Sequence, residues 1–263
     1  MGAKGFFTDT TVCIGCKACE VACKQWNQLP DDGSFFTGMS YDNTGDLGAS
    51  TWRHVEFIER PVPLPDQTTG DGFSWLIMSD VCKHCRSAAC LEACPTGAIV
   101  RTEFDSVFVQ PDVCNGCGYC VTACPFGVID RREDDGRAWK CTLCYDRLKD
   151  DMEPACAKAC PTDSIQFGDI DELRARAEAR MQNLHGRGQT DAYLYGADEA
   201  SQPGTDGLNA FFLLVDEPEV YNLPPDPVTP TKKAREGWGS AALAAAGIAL
   251  AAAAAVLGNR RTS

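Results

Sequence analysis

Apolar and polar positions along the chain predict short elements set between clusters of cysteine. Trp52–Ile58 and Phe73–Met78 carry the β-branched and aromatic runs of two strands. Ile99–Thr102 and Val107–Val109 flank a polar turn, Glu103–Ser106, that holds Phe104, and together they predict a hairpin. From Asp169 to Leu184 the apolar residues Ile170, Leu173, Ala177, Met181 and Leu184 recur at helical spacing. Asp169 with Glu172 predicts a helix-starting cap, Gly186 a stop, and the charges between them a solvated face. The stretch from there to Gly207 reads as loop, and Phe211–Val215 as a short buried strand.

The last periodic segment is of another kind. Ser240–Gly258 holds no charge over nineteen residues, which as a helix spans about 28 Å, close to a bilayer's apolar thickness. Eleven of these residues are alanine. The larger apolar ones (Leu243, Ile248, Leu250, Val256, Leu257) supply only about -2.5 kcal/mol of insertion energy. We therefore expect a transmembrane helix over 237–259 that packs its small residues against a partner's helices. A soluble alanine-rich helix is the alternative, but it would lack a face for water. Lys232, Lys233 and Arg235 precede the segment and Arg260 and Arg261 follow it, so basic residues do not decide its orientation.

Sixteen cysteines fall into four motifs. The first is Cys13, Cys16, Cys19, Cys23, and the second Cys82, Cys85, Cys90, Cys94 with a widened middle gap. The third is Cys114, Cys117, Cys120, Cys124, and the fourth Cys141, Cys144, Cys156, Cys160, whose middle gap is Tyr145–Ala155. In the run C-x2-C-x2-C-x3-C-P, three close thiolates take one [4Fe-4S] cluster and the fourth reaches the other cluster of the pair. Pro95, Pro125 and Pro161 follow motifs two, three and four, turning the chain away, whereas Lys24 stands there in motif one.

By that exchange rule, motifs two and three pair as Cys82, Cys85, Cys90 with Cys124, and Cys114, Cys117, Cys120 with Cys94. Motifs one and four then pair around them, Cys13, Cys16, Cys19 with Cys160, and Cys141, Cys144, Cys156 with Cys23. The fold expected is α+β: two ferredoxin-like 2[4Fe-4S] units in nested pairing plus the C-terminal helix. One unit comprises 1–25 and 139–168, the other 80–138; 26–79 is a structured insertion, 169–236 a helix and cover segment, and 237–259 the membrane helix. Zinc is the competing reading, since C-x2-C pairs also build four-thiolate sites and a zinc-stabilised scaffold. It does not use a third cysteine followed by Cys-Pro.

Composition narrows the function. The formal charge is -13, and sixteen thiolates around four cluster cores take it to about -21. Such a surface repels phosphate backbones and excludes nucleic acid as a partner. With three histidines (His54, His84, His185) and no H-E-x-x-H, G-x-S-x-G or G-x-G-x-x-G, the chain carries little for bond-making catalysis. The start, Met1–Asp9, has no apolar signal region, so export is expected to rely on a partner's signal. The insertion Lys24–Ser79 contains Trp26, Phe35, Phe36, Trp52, Phe57 and Trp75. It reads equally as a docking surface or as local packing over the clusters. Lys17, Lys24, Lys83, Arg86 and Lys140 read individually as surface solubility; the alternative is that they raise cluster potentials. His84 reads as a neighbour of the ligands and not as one of them.

Four stretches carry a resemblance: Cys13-Ile-Gly-Cys-Lys-Ala-Cys through Trp26-Asn27; Tyr41-Asp42-Asn43 with Asp46-Leu47 and Ser50-Thr51-Trp52; Lys140-Cys-Thr-Leu-Cys144; and Glu219-Val-Tyr-Asn-Leu-Pro224. With the cysteine pattern and the single C-terminal helix, the sequence resembles the iron-sulfur beta subunits of molybdopterin oxidoreductases, specifically of membrane-bound respiratory formate dehydrogenases. The cysteine pattern alone is shared with the beta subunits of dimethyl sulfoxide, polysulfide and nitrate reductases and of some hydrogenases, the alternative assignment. Cys117 stands where nitrate reductase subunits have tryptophan and a three-iron cluster, so the resemblance implies four [4Fe-4S] clusters.

It also implies a non-catalytic electron-transfer role beside an alpha subunit with a molybdenum or tungsten bis-pterin centre, and a cytochrome b gamma subunit that reduces quinone. Electrons from formate would enter at motif one, pass motifs four and two, and leave from motif three near the membrane. The family implies a soluble part on the outer membrane face.

Overall fold

The computed structural model describes all residues except 1, 32, 34, 35, 37, 39, 40, 64–70 and 260–263, and no side chains at 61–63, 71–73, 235, 236 and 253–259. The first elements are strand β1 (Lys4–Asp9), a 3-10 turn (Thr10–Val12) and helix α1 (Ala18–Trp26). The insertion forms β2 (Arg53–Pro63) and β3 (Asp71–Val81), an antiparallel ribbon longer than the two strands expected from sequence. Next come α2 (Ala89–Glu92), β4 (Ile99–Arg101), β5 (Val107–Val109), α3 (Tyr119–Ala123), β6 (Asp130–Arg131) and β7 (Ala138–Trp139). The fourth cysteine motif lies around α4 (Tyr145–Lys149) and α5 (Ala155–Lys158). The remainder is β8 (Ile165–Asp169), α6 (Ile170–Gly186), β9 (Tyr193–Tyr195), β10 (Ala210–Leu214), a 3-10 turn (Pro218–Tyr221) and α7 (Pro230–Asn259).

The expected hairpin is β4–β5, with Arg101 opposite Val107. The larger surprise is a four-stranded mixed sheet, ordered β8-β1-β10-β9, in which β1 runs parallel to β10. Neither β1 nor β9 is visible in the sequence pattern. β1 reads Lys-Gly-Phe-Phe-Thr-Asp and is buried on both faces, so it lacks polar alternation. Phe6 faces the cysteine side and Phe7 the α6 side, each fully buried in a separate cluster. β9 is a three-residue strand at the edge of the sheet, inside the stretch expected to be loop.

α6 forms where its periodicity predicted, burying Ile170, Leu173, Ala177 and Leu184. The expected cap is not made: the Asp169 carboxylate accepts from Lys4 Nζ at 3.0 Å instead. The short helices pair around the cysteines, α1 against α5 and α2 against α3. α7 covers the segment expected to span a membrane. Among the described residues, no helix is long and apolar enough to cross one.

Candidate metal centres

Each cysteine motif starts with the same backbone device. The residue just before the second cysteine has positive φ in all four: Gly15 at 66°, His84 at 43°, Gly116 at 73° and Leu143 at 59°. A left-handed residue there tightens the C-x2-C turn and aims successive N–H groups inward, a concavity suited to anionic sulfur. The Leu143 N–H accordingly donates to Cys141 Sγ at 3.4 Å. Gly15 permits this turn twice over, because a Cβ there would sit 2.6 Å from the Phe57 ring.

The sixteen cysteines, all free thiols, gather in four groups. Cys13, Cys16, Cys19 and Cys160 line one small cavity. Cys23, Cys141, Cys144 and Cys156 line a second, and Cys94, Cys114, Cys117 and Cys120 a third. Cys82, Cys90 and Cys124 adjoin Cys85 closely enough to raise its pKa further, burial being the larger cause. Each group thus takes three cysteines from one motif and one from another.

The groups also stand in a row. Cys19 of the first feels Cys156 of the second, Cys141 of the second feels Cys82 of the fourth-named group, and Cys90 of that group feels Cys120. In motif numbers the order is one, four, two, three. Only Cys16 and Cys117 are exposed, one at each end of the row.

The chemistry of the set fits a polynuclear cationic group. Burial pushes the Cys19, Cys120 and Cys144 thiols up to about 11 and Cys90 to about 12. Four such thiols ionise together only around strong positive charge, which cluster iron supplies. Among the described residues, no three His, Cys, Asp or Glu side chains converge as ligands of a single metal ion.

Two lysines expected at the surface lie inside. Lys140 is buried, and its ammonium donates to the Cys141 carbonyl at 2.9 Å and to the Val107 carbonyl. Burial works against its charge, but the Cys82, Cys90 and Cys141 thiols outweigh it and raise its pKa. Lys83 is buried against Asp80 and the rings of Phe126 and Phe212. Sequence reasoning placed both wrongly because burial of a lone lysine depends on partners brought from elsewhere in the chain. His84 is buried too, and its Nδ1 accepts from the Val107 N–H at 3.1 Å, so it braces the hairpin. Burial, with Lys140 and Arg101 nearby, holds it well below the usual histidine range and therefore neutral.

Part of the insertion packs locally over the cysteines, one of the two readings made of it. Trp52 and Val55 are buried among the cysteines, whereas Trp26, Phe36, Tyr41 and Trp75 remain exposed. Phe35 lies outside the described residues. Sequence reasoning passed over one interior residue entirely, Arg53, which lies fully buried beside Cys156.

These features define a ferredoxin-type iron-sulfur protein with its centres in series. The family described as 4Fe-4S dicluster domain matches residues 73–170, and the 4Fe-4S binding domain matches residues 10–26. The protein is 41% identical over 223 residues to the formate dehydrogenase iron-sulfur subunit of Haemophilus influenzae, covering 83% of this chain and 68% of that one. It is 39% identical over 244 residues to the nitrate-inducible formate dehydrogenase iron-sulfur subunit of Escherichia coli, covering 91% and 78%. One subunit of the anaerobic dimethyl sulfoxide reductase of Escherichia coli is 37% identical over 175 residues, covering 65% and 76%.

This protein belongs to the family of formate dehydrogenase iron-sulfur subunits. It is an electron-transfer subunit, not the catalytic one, and its sixteen cysteines fit four [4Fe-4S] clusters. The zinc reading is set aside by these matches.

Proposed function

We propose that the subunit conducts electrons from a catalytic partner that oxidises formate at a molybdenum or tungsten bis-pterin centre to a membrane cytochrome b that reduces quinone. The observation that carries this reading is the row of four thiol groups with one exposed cysteine at each end. In this reading Cys13, Cys16, Cys19 and Cys160 hold one cluster, and Cys141, Cys144, Cys156 and Cys23 the next. Cys82, Cys85, Cys90 and Cys124 hold the third, and Cys114, Cys117, Cys120 and Cys94 the last. Each bound [4Fe-4S] cluster supplies a one-electron carrier. The paired helices α1 with α5 and α2 with α3 support the nested division into units at 1–25 with 139–168 and at 80–138.

The end at Cys16 receives electrons. Ile14, Val21, Tyr41 and Trp75 are exposed around it, an apolar rim that fits the catalytic subunit. The end at Cys117 delivers them. α7 leaves the molecule on that half, where Thr231 donates to Glu92 of α2, between Cys90 and Cys94. Leu243, Ile248 and Leu250 of its uncharged segment are exposed for contact with a partner subunit. The soluble part lies on the outer face of the membrane.

An anaerobic absorbance and EPR titration of the natively purified complex tests this. Formate alone is expected to bleach the clusters; bleaching by dithionite only removes formate as the electron source.

A further inference from the structure

Arg53 is one of the largest fully buried side chains in the protein. Its guanidinium Nη1 donates to the Ser79 carbonyl at 3.2 Å and approaches Ser79 Oγ at 3.5 Å. Nη2 donates to Cys156 Sγ at 3.2 Å, and the group stacks over the Phe6 ring with its centre 4.8 Å away. The same Ser79 hydroxyl lies 3.2 Å from Cys19 Sγ. Cys19, Ser79, Arg53 and Cys156 therefore form a continuous polar bridge from the first cysteine group to the second.

No carboxylate pairs with this cation among the described residues, and its Nε has no acceptor. A buried, unpaired guanidinium is expensive unless negative charge lies close by. The negative charge available here is thiolate sulfur.

We propose that Arg53 is a charge-compensating positioning residue shared by the motif-one and motif-four clusters, raising the reduction potential of both and keeping them matched for exchange. This rests on the assignment of the four cysteine groups as cluster sites. Each cluster gains one negative charge on reduction, so a fixed cation between two of them stabilises the reduced form of either. The hydrogen bonds of Arg53 reach Cys156 and, through Ser79, Cys19, and none goes to a cysteine of motif two or three. Matching matters at this junction because an electron that enters at the first site has one onward neighbour.

The test is an EPR-monitored redox titration of the purified complex carrying Arg53→Gln, with iron and acid-labile sulfide measured alongside. Two of the four midpoint potentials are expected to fall, each by about tenfold in the reduced-to-oxidised ratio, or about 59 mV for a one-electron couple. The other two stay put. Unmoved potentials, or four that move together, would overturn the proposal. Where Arg53→Gln fails to assemble, Arg53→Lys decides. A single ammonium cannot reach both sides as the fork does, so at least one of the same two potentials moves; an assembled variant with all four unchanged refutes the idea. A wild-type complex with fewer than four such centres in this subunit would instead sink the site assignment, so the two failures are distinguishable.

Discussion

Glu56 shows how a single residue couples the ribbon to pH. It lies on β2 with one carboxylate oxygen accepting from Asn222 Nδ2 at 2.7 Å and the other buried without a partner. Burial is the main cause that pushes its pKa from 4.5 up to about 7, against the partial relief of the Asn222 bond. The folded form thus holds a proton that the unfolded chain has released. Stability from this site is full below the unfolded value, declines as pH rises from 4.5 to about 7, and is lost above. Glu56→Gln should flatten the pH dependence of the unfolding midpoint across that window, measured by anaerobic thermal scans on either side of it. An unchanged slope would mean that the carboxyl is solvated in the folded protein. Neither Glu56 nor Arg53 is legible as buried in the sequence, since each lies in a charged, alternating strand whose second face is covered by distant residues.

At the scale of elements, α6 is the clearest case of pattern becoming structure. Its apolar stripe was visible because one face meets the sheet and the other meets water. Leu173 is fully buried in the cluster with Phe7, Phe211 and Tyr195, and Arg180 reaches across to Asp9 at the end of β1 at 2.8 Å. Leu173→Ala should cost about 2–5 kcal/mol of stability and lower the unfolding midpoint while leaving the cluster EPR signals in place. The signals survive because α6 packs on the face of β1 away from Phe6 and the cysteines clustered with it, Cys19, Cys23, Cys82, Cys141 and Cys156. Loss of a cluster in that variant would show that α6 braces the metal sites directly. β1 escaped notice for the opposite reason: a strand covered on both sides carries no alternation to read.

For the whole molecule, the governing fact is that the ends of the chain close around its middle. β1 pairs with β8 and β10, and Cys160 lies in the cavity of Cys13, Cys16 and Cys19. Replacing Cys160 with serine should therefore diminish the cluster signal of the motif-one site before that of the motif-four site, as read by EPR of the reduced complex. The reverse order would reject the nested ligand assignment. The same closure places the exposed Cys16 and Cys117 at opposite ends of the row.

The cofactor class was legible from the chain alone, because gaps of two and three residues set the spacing of thiols within a turn whatever the rest of the protein does. The hairpin β4–β5 and the helix α6 were legible for the same reason, each being defined by its own short-range pattern. Tertiary structure alone decided the place of β1 in the sheet and the burial of Arg53, Lys83 and Lys140. Those features depend on contacts between residues far apart in sequence. No local pattern encodes which distant surface will exclude water from a charge.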